Sequence, residues 1–390
     1  MKINNITGSP VEGENFYGRE KELSSAWSKV LKGNSLILSA PRRVGKSSFA
    51  KKLLEKAKKE SWNTLEINLE EVSSEIGFVN LLIEKLQAAN WWQSSMSKAG
   101  KLFGQILESI KPSIGLGEAK VSVVWSRAKI DVYQKLKGLL NHEEDTLIMV
   151  DELTILLNRL LKNENGKQDV EFFLNWLRSF RQVSGTKIRW VFCSSIGIEN
   201  FTSMHNLSYA LNDVSKFKID EYNQIEACKF VKELALSEEV LFIEGDINYM
   251  LQLLGWNLPY FIQVLFSNVN QLIQVQERTT SIDTINEAYI QLISEGHLNT
   301  WDERLNEYGE YEIYARPVLK NLSRLKIGAG RTVLFSLLFA KINDEDKTDI
   351  VLSKLLQMLQ NDGYLILKKD ASYVFRSPLL RDFWYNRFVK

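Results

Sequence analysis

The sequence predicts an α/β domain built on a parallel sheet, then an all-α segment, then C-terminal helices closed by a short hairpin. Three observations carry that prediction. Short apolar runs alternate with long amphipathic stretches up to Asp220, helical period alone continues beyond it, and the chain ends with two short alternating runs around a polar tip. With 390 residues the chain exceeds one ordinary core, so several domains are expected.

The elements follow in order. SLIL at Ser35–Leu38 is a short apolar run, and NTLEINL at Asn63–Leu69 alternates as a half-buried or edge strand would. TLIMV at Thr146–Val150 and IRWVFC at Ile188–Cys193 read as buried parallel strands. Amphipathic stretches such as FAKKLLEKAKKE and FFLNWLRSFRQ lie between them, which implies an α/β layer sandwich. VSKFKID at Val214–Asp220 is the last strand signal of this part, and a domain covering residues 1–220 is predicted. Residues 221–305 are helical in period, with expected breaks at Glu244–Asp246 and at the turn GWNLP, Gly255–Pro259. In residues 306–390, leucine-rich helices run to about Asn361, and DGYLILKKDASYVFR then reads as turn, strand, polar tip and strand. Helices followed by a hairpin are the pattern of a winged helix.

Composition is that of a soluble globular protein, with 45% hydrophobic and 25% charged residues. A net charge of +1 creates no global field for nucleic acid or membrane, so any such surface would be a local patch. Cys193 and Cys228 lie in apolar patterns and suit buried thiols, while His142, His205 and His297 have no partner at metal-ligand spacing. No run approaches the roughly 20 apolar residues of a membrane span, and the N-terminal MKINNITGSP has no apolar core of a secretory signal. A cytoplasmic protein without a membrane partner is expected.

The chemistry concentrates in SAPRRVGKSSF, Ser39–Phe49, between an apolar run and a helix. A phosphate loop needs backbone N–H groups converging on anionic oxygens at a helix N-terminus, with a lysine reaching the outer phosphates. Pro41, Arg42, Arg43, Val44 and Gly45 would form the loop, with Gly45 allowing close backbone approach. Lys46 would neutralise the outer phosphates, Ser47 would hold Mg²⁺, and Ser48 could place a hydroxyl near the α-phosphate. Ala40 replaces the glycine that usually opens such a loop, which is harmless if its φ is negative. A chance Gly-Lys-Ser at a helix start is the competing reading of the loop taken alone.

LIMVDE, Leu147–Glu152, supplies an independent signal roughly one hundred residues downstream. Asp151 would hold Mg²⁺ through water and Glu152 would polarise the attacking water. The alternative is that both merely cap the following helix. In IRWVFCSSIGIEN, Ser194 and Ser195 end a strand and could contact the γ-phosphate or the lytic water, or simply make the turn. Arg178 and Arg181, at i and i+3, share a helix face. They either reach phosphate or form a solvated charged face. NWWQSS (Asn90–Ser95) and VSVVWS (Val121–Ser126) carry tryptophans that read as core more than as a binding surface.

FYGREKEL, APRRVGKSS, LIMVDE, WLRSFRQ, SSIGIEN, GWNLPYF and FRSPLLRDFW, in this order from Phe16 to Phe388, together resemble the archaeal-type P-loop ATPases. These are signal-transduction ATPases with numerous domains, related to the AAA+ group. The resemblance implies a five-stranded parallel sheet with the phosphate loop on its central strand, a helical lid and a C-terminal winged helix. It implies that Gly18, Arg19 and Glu20 lie beside the adenine and that Pro259 touches the base from the lid. Ser195 matches the sensor position, and Ser194 stands where relatives carry glycine. ATP or ADP with Mg²⁺ is the implied ligand.

The function so implied is a slow ATPase acting as a molecular switch through a protein partner or self-assembly, in bacterial defence or signalling. An arginine, Arg178 or Arg181, would act on its own nucleotide or on a neighbour's. The alternative is a DNA-binding ATPase of the replication-loader or transposition-regulator kind, with Lys368 and Lys369 on the wing and Arg376, Arg381 and Arg387 following.

Overall fold

A computed structural model describes residues 3–89, 104–106, 108, 118–140, 144–194 and 197–390. Two compact units result. One comprises Arg19–Ser39 and Phe49–Lys218; the other comprises Met1–Gly18, Ala40–Ser48 and Ile219–Lys390. NWWQSS and Ser195 lie outside the described residues.

The first unit is built on five parallel strands: β1 (Leu36–Ser39), β2 (Asn63–Asn68), β3 (Thr146–Asp151), β4 (Ile188–Phe192) and β5 (Ser215–Lys218). Their order is β2-β3-β4-β1-β5. All five strand signals in the sequence correspond to these strands. Every residue of β3 is buried, as its unbroken apolar run requires of a strand covered on both faces. At the edge, β2 alternates buried and exposed positions over its last four residues.

One expectation is corrected here. The strand preceding the phosphate loop, β1, is interior but not central; β4 occupies the middle. The connection out of β1 crosses to β2 at the far edge, β3 and β4 fill in behind it, and a single short strand, β5, covers the other side. Strand β1 thus sits where the winding direction reverses, the place where open α/β sheets bind ligands.

Helices α1 (Glu20–Leu31), α2 (Lys46–Lys59), α3 (Glu75–Ala88), α4 (Glu118–Leu140), α5 (Leu153–Leu161), α6 (Gly166–Arg181) and α7 (Ile198–Met204) accompany the strands. An aromatic series links α4, α6 and β4: Tyr133 to Trp176 (4.8 Å), Trp176 to Phe180 (5.0 Å), Phe180 to Trp190 (5.6 Å) and Trp190 to Phe192 (5.9 Å). Trp125, one of the tryptophans read as core, is buried on α4 and donates its indole N–H to Glu75 at 3.1 Å. Lys129 reaches Glu75 at 2.7 Å and Asp169 at 2.8 Å, so one buried charge cluster ties α3, α4 and α6. Burial pushes the Glu75 carboxyl up despite that lysine.

In the second unit, α8 (Gln224–Ser237), α9 (Glu244–Leu254), α10 (Pro259–Gln276) and α11 (Ile282–Ser294) form the helical segment. Asn223 and Glu226 make a reciprocal capping box at the start of α8. The expected break at Glu244–Asp246 is displaced: Glu244 begins α9, and residues 238–243 make the break. Two carboxylates in the first turn suit the positive end of the helix dipole, so they belong inside the helix. The second expected break is found, with Gly255 at φ 60° ending α9 and Pro259 opening α10.

A short α12 (Asn299–Glu303) precedes α13 (Glu312–Ser323), β6 (Ala329–Gly330), α14 (Arg331–Ile342), α15 (Glu345–Asn361), β7 (Leu365–Leu367), β8 (Ser372–Phe375) and α16 (Pro378–Phe388). Strands β6, β8 and β7 form an antiparallel sheet, so the expected hairpin is present. At its base Asp362 is 2% exposed, accepting from Arg304 at 2.9 Å and from the Tyr308 hydroxyl at 2.8 Å. Replacing Asp362 by alanine removes a buried acceptor shared by a guanidinium and a phenol. The expected loss is about 3–5 kcal/mol, read as a lower urea midpoint for the transition that reports on this unit.

Candidate functional site

The loop begins where β1 ends at Ser39 and closes where α2 begins at Lys46. Left-handed backbone occurs at Arg43 (φ 68°) and Gly45 (φ 94°), and Ala40 is not among the positive-φ residues. The extra methyl of Ala40 is therefore carried without strain. At Gly45 a side chain would be strained. Arg43 bears that strain, at about 1–2 kcal/mol. Left-handed residues interspersed in a tight turn bring successive N–H groups to one side, as in anion-binding nests.

Lys46 is 8% exposed. Its ammonium donates to the carbonyls of Ala40 at 2.8 Å and Pro41 at 3.0 Å. Val44 is buried and Ser47 is half-buried. Ser48 is buried, and its Oγ accepts the N–H of Val11 at 2.9 Å, so the N-terminal segment reaches the loop. Arg43 lies over the ring of Tyr260, 4.1 Å from its centroid. Burial pushes the Tyr364 phenol up, opposed by Arg304 and then by Arg42 of the loop.

Gly18 (φ 65°) and Arg19 (φ 66°) form a left-handed pair before α1. Arg19 is buried, 3.7 Å from Glu22, whereas Glu20 is exposed in the first helical turn. Pro259 is half-buried at the first position of α10.

At the sheet, Asp151 ends β3 as a buried carboxylate whose Oδ1 accepts the N–H of Glu152 at 3.0 Å. Glu152 itself is left-handed (φ 57°, ψ 34°), and its side chain makes no capping bond to α5. Glu152 is thus the N-cap residue of α5 by its backbone alone. Ser194, at the end of β4, donates its hydroxyl to Glu152 Oε2 at 3.4 Å.

Arg181 is neither solvated nor available on an open face. Its guanidinium is held by both oxygens of Asp213 at 2.9 Å and by the Ala210 carbonyl at 2.7 Å. Burial alone would raise the Asp213 carboxyl, but Arg181 holds it below its usual range. Arg178 is half-buried, with the Gln182 side-chain amide 2.8 Å from its Nε.

Sequence reasoning missed the strained backbone at Glu152 and the Tyr260 ring beneath Arg43. A left-handed glutamate leaves no mark in composition or period. Tyr260 did leave a signal, as an aromatic beside Pro259 in the GWNLPYF motif.

The chain matches no protein-family model and no curated protein. Among solved structures it is similar to the Walker-type ATPase of Pyrococcus abyssi, with TM-score 0.64 and 14% identity over 97% of this chain and 99% of that one. It is also similar to the Aeropyrum pernix ORC2 protein in its ADPNP–ADP complexes, with TM-score 0.58 and 12% identity over 99% of this chain and 97% of that one. These likenesses establish the fold, an α/β sandwich on a five-stranded parallel sheet with a largely helical C-terminal part, as the motif resemblance implied except for the central place it gave the strand before the loop.

The strain at Glu152 yields an expected outcome. Glu152→Gly relieves about 1–2 kcal/mol of left-handed strain against about 0.4–1 kcal/mol from the greater entropy of the unfolded chain, a net stabilisation of about 0.5–1 kcal/mol. A raised unfolding midpoint checks it; an unchanged or lower one contradicts a strained backbone at this position.

Proposed function

We propose that this chain binds ATP at the loop Ala40–Ser48, hydrolyses it slowly, and acts as a nucleotide-dependent switch through a protein partner or a second copy of itself. The observation that supports this best is the strand–loop–helix around a left-handed Gly45 and a helix-opening Lys46. Two carboxylates end another strand of the sheet that contains β1.

In this reading Lys46 leaves the Ala40 and Pro41 carbonyls to meet the outer phosphates, and the loop N–H groups bind the phosphate oxygens. Ser47 and Asp151 offer the hard oxygen donors that suit Mg²⁺, and the N–H of Glu152 fixes the orientation of the Asp151 carboxylate. When bound, the metal neutralises charge on the phosphates. Glu152 takes the proton of the attacking water, oriented by Ser194, with Ser195 as the adjoining polar contact. Gly18, Arg19, Glu20 and Pro259 are proposed to border the base. Arg178 is the better placed of the two arginines to serve a neighbouring nucleotide, because Arg181 is engaged by Asp213.

The DNA-binding alternative draws on Lys368 and Lys369, exposed between β7 and β8 in what we read as the wing of a winged helix. The arginines that follow are engaged elsewhere: Arg376 with Glu221, Arg381 with Asp382 and Arg387 with Asn299. Helix α15 opens on Glu345 and Asp346, an unfavourable charge against phosphates. Among the described residues no helix is long and apolar enough to cross a membrane.

ATP turnover measured across protein concentration, with and without duplex DNA, tests the proposal against Lys46→Ala as the blank. Glu152→Gln should retain ATP binding and lose about 100-fold or more in turnover. A per-subunit rate rising with concentration supports assembly, whereas DNA stimulation lost in a Lys368→Ala, Lys369→Ala variant supports the alternative. Equal turnover by wild type and Lys46→Ala would sink the ATPase reading.

A further inference from the structure

The loop is gripped at two points by segments far away in sequence but within its own unit. The first is Pro41. It lies against Gly363, at φ 84° in the turn between α15 and β7. A methyl built on Gly363 would sit 3.0 Å from Pro41 Cβ and 2.6 Å from the Trp256 ring. Trp256 is itself fixed, buried in the turn before α10 with Arg376 4.8 Å above its ring. The second point is Arg43, whose guanidinium rests on Tyr260 in the first turn of α10.

Both grips fall where the loop backbone matters. The Pro41 carbonyl accepts from Lys46 at 3.0 Å, and Arg43 is the left-handed residue that turns the chain toward Gly45. A loop left to itself would populate many conformations, and ordering it would oppose ligand binding. A loop already fixed at both residues presents its N–H groups without that cost. The contact with the ring favours the backbone geometry in which Arg43 reaches it.

We infer that Tyr260 and Gly363 are positioning residues for the nucleotide: they hold the phosphate loop in its anion-receiving conformation and thereby set ATP affinity. This rests on reading the loop as an ATP site. Neither residue needs to touch ATP. The lid contributes one grip and the C-terminal turn the other, so the affinity of the loop depends on both segments being docked. Chemistry on bound ATP depends on Glu152, so the effect belongs to binding and leaves the saturated rate alone.

The test is direct ATP titration of the full chain together with KM and kcat, for wild type, Tyr260→Leu, Tyr260→Phe and Gly363→Ala, with Lys46→Ala as reference. Tyr260→Leu should raise Kd and KM about three- to tenfold with kcat within about twofold, the range expected for losing a cation–π contact. Tyr260→Phe keeps a ring under Arg43 and should behave as wild type. Gly363→Ala should weaken binding at least as much; if it does not fold, the Tyr260 pair decides. Tyr260→Leu binding like wild type, or leucine and phenylalanine losing equally, overturns the inference while leaving the ATP reading intact. No ATP binding above the Lys46→Ala reference in wild type ends both together.

Discussion

A buried ammonium must be surrounded by oxygen, and at Lys46 the loop's own carbonyls supply it. The side chain is 8% exposed, and two backbone oxygens at 2.8 and 3.0 Å meet its charge. A lysine in that position without acceptors would face a desolvation cost of several kcal/mol. The carbonyls of Ala40 and Pro41 therefore point toward the Lys46 ammonium. Gly45 and Arg43 make the hand of the chain change within that short span.

At the ends of the strands the constraint is steric. Strand β3 is buried along its whole length, so its last residue, Asp151, emerges as a carboxylate held by the next N–H. The chain must then turn at once into α5, and Glu152 takes the left-handed conformation that makes so sharp a turn. Glycine would do this without strain. A glutamate at this position places a carboxylate beside Ser194 at the cost of backbone strain. The same logic reads Arg181 differently: a guanidinium closed on Asp213 and Ala210 fastens the end of α6 to the segment before β5.

Much of the fold is legible in residue order because its causes are local. Three apolar runs and two alternating ones between amphipathic stretches leave little choice but a covered parallel sheet. Gly255 and Pro259 mark the turn before α10 by the backbone chemistry of those two residue types. Where the reading erred, the causes were of two kinds, one local and one long-range. The acidic pair Glu244 and Asp246 reads as a break by composition, yet a helix N-terminus favours such charges, and α9 starts there. The place of β1 beside β4 and β5 follows from which strands pair, which no run of residues records.

The candidate site divides along the same line. The sequence by itself determined which groups are present: a lysine and serines after a glycine, two carboxylates after a buried strand, and small hydroxyls after another. It did so because these chemistries depend on residue type at close spacing. Only the tertiary structure decided their condition: Ala40 free of strain, Glu152 bearing it, Ser48 taken by Val11, Arg181 taken by Asp213, and Arg43 resting on Tyr260. The last three outcomes depend on partners tens to hundreds of residues away, and distance along the chain carries no information about which of them will meet.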